Sequence, residues 1–281
     1  MVRVQLLGPV EAYAGDRRIE LGGAKPRALF AALVLARGRV VPAERLIDVI
    51  WPQDPPDRAR SLLQTYVSTL RASFGAQGIG GIIETRSPGY VAALEDVEVD
   101  VDVFARLLDE ARARMAAAEP AAAGELLEQA IGLWRGAALS GLDQSPLTGE
   151  ARALDELLTT AIEERGDVAL RLGRSGLVAE LTGLVARHPL NERLRGQLMT
   201  ALYRVGRQAD ALACYRQGRD VLVEELGLEP GQELAAIHNA ILRGDEDLRV
   251  AAVEPERPAP RVVPAQVPAA PADFTGRQAE V

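Results

Sequence analysis

Two kinds of hydrophobic periodicity occupy different parts of the 281-residue chain and limit which fold it can adopt. After Asp96, apolar residues recur at spacings of three and four as far as about residue 243, which is typical of amphipathic helices. Alternation of apolar and polar residues, which is typical of half-buried strands, is confined to the first 95 residues. The sequence therefore predicts a mainly α chain with a small β part at its N-terminal end.

The first 95 residues predict the element order β-β-β-α-α-α-β-β. Residues 2–22 alternate around turns at Gly8 and Gly15, and this pattern predicts three short antiparallel strands. Three helical segments follow, of which the third runs to about Phe74. Two apolar segments on either side of Ser87-Pro88-Gly89 predict a hairpin.

The rest of the chain predicts a helical array followed by a linker. The segment LYRVGRQADALACYRQ, residues 202–217, has the small-residue and aromatic spacing of a tetratricopeptide helix pair, within an array of irregular period. From about residue 249 the sequence is proline-rich and without periodicity, which predicts an extended linker. The predicted helices are 100–118, 120–135, 147–172, 175–187, 191–204, 207–226 and 231–243.

Charge is distributed unevenly, and this bears on the class of partner. The net charge is −8, which argues against nucleic acid as a partner of the whole chain. Residues 1–95, however, carry 12 Lys and Arg against 9 Asp and Glu, whereas residues 96–281 carry 20 against 31. Because the first part is mildly basic and the second is acidic, residues 1–95 alone could bind a polyanion.

Several observations indicate a location and argue against other functions. The longest apolar run, residues 28–36, is too short to span a membrane, and no signal peptide is apparent, so a cytoplasmic protein without membrane contact is expected. Cys214 is the single cysteine and is expected to be a buried thiol, and Trp51 and Trp134 are expected in the core. Two histidines and one cysteine offer no metal site, and no catalytic set is evident, so no enzyme activity is expected.

The segment SLLQTYVSTLR, residues 61–71, combines an apolar face with an uncharged face of small hydroxyl residues. Such a hydroxyl face fits a solvated helix, a subunit contact or the edges of DNA bases, and the pattern alone leaves these three open. The apolar face carries Leu63, Tyr66, Val67 and Leu70, and the hydroxyl face carries Ser61, Thr65, Ser68 and Thr69. The arginines that stand at its ends are Arg58, Arg60 and Arg71.

Several motifs resemble those of the Streptomyces antibiotic regulatory protein family. They include VVPAERLIDVIW and ARSLLQTYVSTLRASFG in the first half, and AIGLWRGAALSGL and RHPLNERLRGQLMTALYRVGRQADALACYRQGRDVLVEELGLEPGQELAAIHNAIL in the second. The resemblance covers residues 2–247 in unbroken order. It implies an OmpR/PhoB-type winged helix-turn-helix over residues 1–95 and an all-α, tetratricopeptide-like bacterial transcriptional activation domain over residues 96–247. The implied function is a DNA-binding transcriptional activator of secondary-metabolite (antibiotic biosynthesis) genes.

The resemblance also implies DNA contacts at particular residues. It implies that helix 57–74 enters the major groove and that the hairpin forms the wing. Related regulators often carry Arg where this sequence has Thr69, so that position offers no paired contact to guanine. Base-edge contacts are expected from Ser61, Thr65, Ser68 and Thr69, and phosphate or wing contacts from Lys25, Arg27, Arg58, Arg60, Arg71, Arg86 and Tyr90.

The partners that the resemblance implies are double-stranded DNA with tandem direct repeats, a second copy bound head to tail, and RNA polymerase holoenzyme with its sigma factor near the −35 element. A tetratricopeptide-type scaffold or a repressor, in which the winged helix is a docking module, is the alternative. Residues 248–281 end in a segment, DFTGR, that resembles the start of the nucleotide-binding domain of AfsR-type members. ATP or ADP is therefore expected only in a domain beyond Val281. No cofactor is expected in this chain, because the sole lysine, Lys25, precedes Pro26 where a P-loop needs Ser or Thr.

Overall fold

Short strands form two sheets in the part of the chain that the computed structural model describes, residues 1–142 and 145–248. The strands there are β1 (Val2–Gln5), β2 (Glu11–Ala14), β3 (Arg17–Ile19), β4 (Val41–Pro42), β5 (Ile83–Arg86), β6 (Gly89–Ala92) and β7 (Val97–Val99). The first sheet has the order β3-β2-β1-β7 and the second has the order β4-β6-β5. All neighbouring strands are antiparallel except β1 and β7, which run parallel.

The sequence pattern predicts five of these strands and misses β4 and β7. Both are too short for alternation to be visible, and both form by pairing with distant residues: Val41 lies opposite Tyr90, and Val97 lies opposite Val2. The pairing of β4 with the β5–β6 hairpin depends on Gly89, because a Cβ atom at that position would overlap the carbonyl oxygen of Val41. These contacts connect the hairpin to the body of the N-terminal part.

The helices match the predicted helices to within about one turn at each end. Asn191 caps one of them, since its side-chain oxygen accepts a hydrogen bond of 3.0 Å from the Leu194 N–H. The predicted fold, a winged helix-turn-helix followed by an all-helical array, is confirmed. The helices are α1 (Ala24–Leu35), α2 (Ala43–Ile50), α3 (Ala59–Gly75), α4 (Asp100–Ala116), α5 (Pro120–Gly132), α6 (Thr148–Leu172), α7 (Leu177–Arg187), α8 (Glu192–Arg204), α9 (Gln208–Leu226) and α10 (Gln232–Arg243), and the 3-10 helix Glu246–Leu248 follows.

Two hydrophobic cores lie within this arrangement. The first core contains buried residues of the strands, of α1 to α3 and of α4 to α6, and its largest fully buried side chains include Phe30, Phe74 and Phe104. The second core contains buried residues of α7 to α10 and the C-terminal part of α6. The division falls within α6, where Val168 belongs to the first core and Ala169 to the second.

A buried carboxylate reinforces the first core where the winged helix-turn-helix meets the helical array. Asp100, at the start of α4, accepts hydrogen bonds of 2.8 and 2.9 Å from the Leu6 N–H and of 3.0 Å from the Leu7 N–H. Arg135 approaches the same carboxylate at 3.6 Å and donates a 2.9 Å hydrogen bond to Glu11. Burial raises the pKa of Asp100 above its ordinary value, and the two N–H groups and Arg135 counteract that shift.

The remaining sequence predictions fall partly inside and partly outside the described residues. Cys214 is buried as predicted, and burial raises the pKa of its thiol. Trp51 is also buried, whereas Trp134 is half-buried and packs edge-on against Phe104 with ring centroids 5.7 Å apart. The predicted linker, residues 249–281, lies outside the described residues. Among those that are described, no helix has the length and apolar character needed to cross a membrane.

Candidate nucleic-acid interface

Helix α3 presents one face to the core and the opposite face to solvent. Its apolar face is anchored at the middle of the helix and near its C-terminal end, because Tyr66 stacks on Trp51 at 5.9 Å and Phe74 packs against Phe30 at 5.3 Å between ring centroids. The buried side chains are Ala59, Leu63, Val67, Leu70 and Phe74. The four predicted base-edge residues, Ser61, Thr65, Ser68 and Thr69, are all exposed. The structure therefore brings the four hydroxyl groups together on one free surface.

The hydrogen bonds of the two threonines define what this surface offers to a partner. The hydroxyl of Thr65 donates to the carbonyl oxygen of Ser61, and the hydroxyl of Thr69 donates to that of Thr65, both at 3.0 Å. Because each hydroxyl proton is used within the helix, the lone pairs and the methyl group are left for an incoming group. Lone pairs accept from the amino groups of cytosine or adenine, and a methyl group packs on the methyl of thymine.

Arg71 holds α3 against the hairpin. Its Nε–H donates to the carbonyl oxygen of Ile83 at 2.9 Å, and its terminal nitrogen donates to the hydroxyl of Thr85 at 2.9 Å. Both acceptors lie on β5. The sequence analysis expected a phosphate contact from Arg71, and the structure gives this side chain an intramolecular role that fixes the angle between helix and hairpin.

The other residues that are predicted to contact phosphates differ in whether their side chains already form an ion pair. Arg60 forms an ion pair with Glu44 of α2, and Arg86 forms one of 2.8 Å with Glu84 on the same strand. Exposed ion pairs of this kind contribute little to stability and exchange partners readily. Arg58, the residue that precedes α3, is exposed.

Lys25, at the start of α1, lies beside the same set of rings. Lys25 Nζ lies 5.2 Å from the ring centroid of Trp51, which in turn stacks on Tyr66 of α3. Arg27 is half-buried. Tyr90 is different from the rest because only 9% of its surface is exposed and it belongs to the first core. Burial leaves Tyr90 little surface for the expected contact on the wing, which stays a prediction.

One residue of the exposed face was missed by the sequence analysis. Gln64 is exposed on α3, three residues after Ser61 and four before Ser68. This spacing places it beside both serines, and the helical period alone was sufficient to find it. Among the described residues, no cluster of three or more His, Cys, Asp or Glu side chains could hold a metal ion at this surface or elsewhere.

Comparison with known families identifies both parts of the chain. Residues 16–92 match the family described as "Transcriptional regulatory protein, C terminal", and residues 99–242 match the "Bacterial transcriptional activator domain". The second match alone spans more than half of the chain. The two matches divide the chain between the hairpin and α4.

Relatives extend over both parts. The regulatory protein AfsR of Streptomyces griseus is 42% identical over all of this chain, which spans 28% of the length of AfsR. The regulatory protein DnrI of Streptomyces peucetius is 36% identical over 87% of this chain and 93% of DnrI. A solved structure of Mycobacterium tuberculosis EmbR, in complex with a low affinity phosphopeptide, superposes with a TM-score of 0.83. It has 32% identity and covers 89% of this chain and 69% of that one. The chain therefore belongs to the Streptomyces antibiotic regulatory protein family of transcriptional activators.

Proposed function

We propose that this protein binds double-stranded DNA sequence-specifically, with the exposed face of α3 in the major groove. The observation that carries the proposal is the composition of that face: the exposed side chains from Ser61 to Thr69 are uncharged and polar. Small donors and acceptors fit the edges of base pairs, whereas acidic side chains would be repelled by the phosphates on either side. An ordinary solvated helix has no need to exclude acidic residues from its outer face.

The surroundings of α3 support this orientation. Because Arg71 connects α3 to β5, the helix and the hairpin approach the duplex as one surface. Arg58 at one end of α3 and Arg86 on the hairpin supply positive charge for the phosphates of the groove walls. Lys25 and Arg27 extend this charge to the start of α1.

The modest charge of the N-terminal part implies that two copies bind together. Residues 1–95 carry an excess of only three positive charges, which gives one copy a weak electrostatic anchor. Two copies on tandem direct repeats, arranged head to tail, gain affinity through their combined contacts. Repeats spaced by one helical turn, about 10–11 bp, place both α3 helices on the same side of the duplex.

The role in transcription is the second part of the proposal. We propose that copies bound near a −35 element contact RNA polymerase holoenzyme and its sigma factor, and so activate secondary-metabolite genes in the cytoplasm. No cofactor is part of this proposal. In the alternative, a scaffold, the winged helix docks only to protein and the chain should leave no footprint on DNA.

The test combines a footprint on genomic fragments with a titration of single-base variants of the protected site at two salt concentrations. Thr65→Ala and Thr69→Ala are expected to change the ranking of the site variants, because they remove base-edge groups. Arg58→Ala is expected to weaken binding to all variants alike and to reduce the salt slope by about one unit, because it removes a phosphate contact.

Thr182→Ala is the matched control. Thr182 is exposed on α7, and its hydroxyl donates to the carbonyl oxygen of Val178 at 2.7 Å, four residues back, as in Thr65. This substitution is expected to leave affinity and ranking unchanged. Absence of any footprint would refute the proposed DNA binding. A uniform loss with the threonine variants, joined to a change of ranking with Arg58→Ala, would show that a different face of α3 meets the bases.

A further inference from the structure

The long polar side chains of α3 differ in whether they are free to reach a base. Arg60 is paired with Glu44, and Arg71 is bonded to Ile83 and Thr85 on β5. Both arginines are therefore turned toward neighbouring elements of this protein. Arg60 must give up Glu44, and Arg71 must give up its two hydrogen bonds to β5, before either side chain reaches a base.

Gln64 shares a flank of the helix with these two arginines but not their restraints. It follows Arg60 by four residues and precedes Arg71 by seven, which places the three in one row along the helix. Among the described residues, the side chain of Gln64 has no hydrogen bond to another group, and it is exposed. Its amide lies two bonds farther from the backbone than the hydroxyls of Ser61 and Ser68. It is therefore a free donor and acceptor pair with a longer reach into the groove.

We propose that Gln64 determines specificity by reading one adenine in each bound site, an inference that rests on the proposed DNA binding. The side-chain Nε2–H donates to adenine N7, and Oε1 accepts from the adenine N6 amino group. This paired arrangement distinguishes adenine from the other three bases in the major groove. The threonine hydroxyls cannot replace it, because their protons are donated to the carbonyl oxygens of Ser61 and Thr65.

The experiment is selection from a randomised double-stranded DNA pool with the full chain and three variants. The wild type is expected to enrich a motif that contains at least one strongly preferred adenine. Gln64→Ala is expected to enrich the same motif with that preference lost, a fall in discrimination of roughly 5- to 150-fold at one position. Gln64→Arg is expected to change the preference at the same position from adenine to guanine, because the guanidinium pairs with guanine O6 and N7.

Gln77→Ala is the matched control, because Gln77 is exposed just beyond the end of α3 and its loss should leave the motif intact. A motif that Gln64→Ala leaves unchanged overturns the inference while the proposed function stands. Enrichment of no motif by the wild type overturns the proposed function itself. If Gln64→Ala binds no DNA although its thermal melting matches that of the wild type, Gln64→Arg decides the matter. A motif that Gln64→Arg enriches without a change of the preferred base from adenine to guanine also overturns the inference.

Discussion

The two cores of this protein differ in what they join. The first core combines the winged helix-turn-helix with α4, α5 and most of α6, whereas the second lies within the helical array alone. The change of sequence pattern near residue 95 therefore does not coincide with a change of core. Helix α3 therefore rests on a core that is completed by helices that follow it in the chain.

Two contacts connect the residues before and after residue 95 and account for this dependence. Strand β7 pairs with β1, and the next residue, Asp100, satisfies the N–H groups of Leu6 and Leu7. Without Asp100, these buried N–H groups would lack their acceptor. No comparable buried carboxylate bridges from the first core into the second among the described residues, where α6 is the covalent connection.

The largest expected effect is on the stability of a fragment that contains only part of the first core. Residues 1–95 alone should lose cooperative thermal unfolding, because they lack the buried side chains of α4 to α6 and the Asp100 carboxylate. Residues 1–175 should retain a cooperative transition, because they keep the whole first core. Circular dichroism at rising temperature measures both. A fragment 1–95 that melts within a few degrees of the full chain would show that the N-terminal part does not depend on α4 to α6.

A smaller effect is expected from deleting one large side chain in each core. Phe104→Ala should destabilise the first core by about 3–5 kcal/mol, and Met199→Ala should destabilise the second by about 2–5 kcal/mol. Both tryptophans lie in or against the first core, so their fluorescence reports on it alone, while far-ultraviolet circular dichroism reports on both. In urea, Met199→Ala should shift the circular dichroism transition and leave the fluorescence transition in place. Transitions that stay coincident would show one cooperative unit.

The smallest effect concerns the buried carboxylate. Asp100→Asn should destabilise the protein by about 1–3 kcal/mol at neutral pH, because an amide keeps one acceptor oxygen and places an NH2 group against the Leu6 N–H, which bonds to both carboxylate oxygens. Exposed Asp102→Asn, two residues along α4, is the control and should change stability by much less. Equal losses from the two variants would show that the buried hydrogen bonds add nothing.

The difference in unfolding free energy between the wild type and Asp100→Asn should depend on pH. Burial raises the pKa of Asp100 above its ordinary 3.8, so the folded state binds a proton more tightly than the unfolded state. The associated stabilisation is complete below the ordinary pKa and is lost as pH rises through the raised pKa. The advantage of wild type over Asp100→Asn should therefore decrease over that interval, as measured by urea unfolding at several pH values.

The fold was largely predictable from sequence because long amphipathic helices repeat their pattern many times. The strands β4 and β7 were not, because two or three residues cannot display a period and their pairing partners are distant in sequence. The bond from Asp100 to Leu6 likewise spans 94 residues and leaves no local pattern. Tertiary contacts alone decide such features.

The candidate interface was predictable in outline and less so in detail. Helical spacing placed Ser61 and Thr65 on a common exposed face. The same spacing could not show that Arg71 bonds to β5 or that Tyr90 is buried, since both depend on how the hairpin packs. The helical period alone also places Gln64 on this face, between Ser61 and Ser68.

The exposed face of α3 has a consequence for how proteins of this architecture diversify. The side chains of Ser61, Gln64, Thr65, Ser68 and Thr69 lie outside both cores, so replacing them leaves buried packing intact. Surface substitutions of this kind usually alter stability by less than about 0.5 kcal/mol. Under the proposed function, single mutations here can redirect the protein to new promoters at almost no cost in foldability. The exposed face of α3 can therefore change between related proteins, while the buried packing beneath it remains under separate selection for folding.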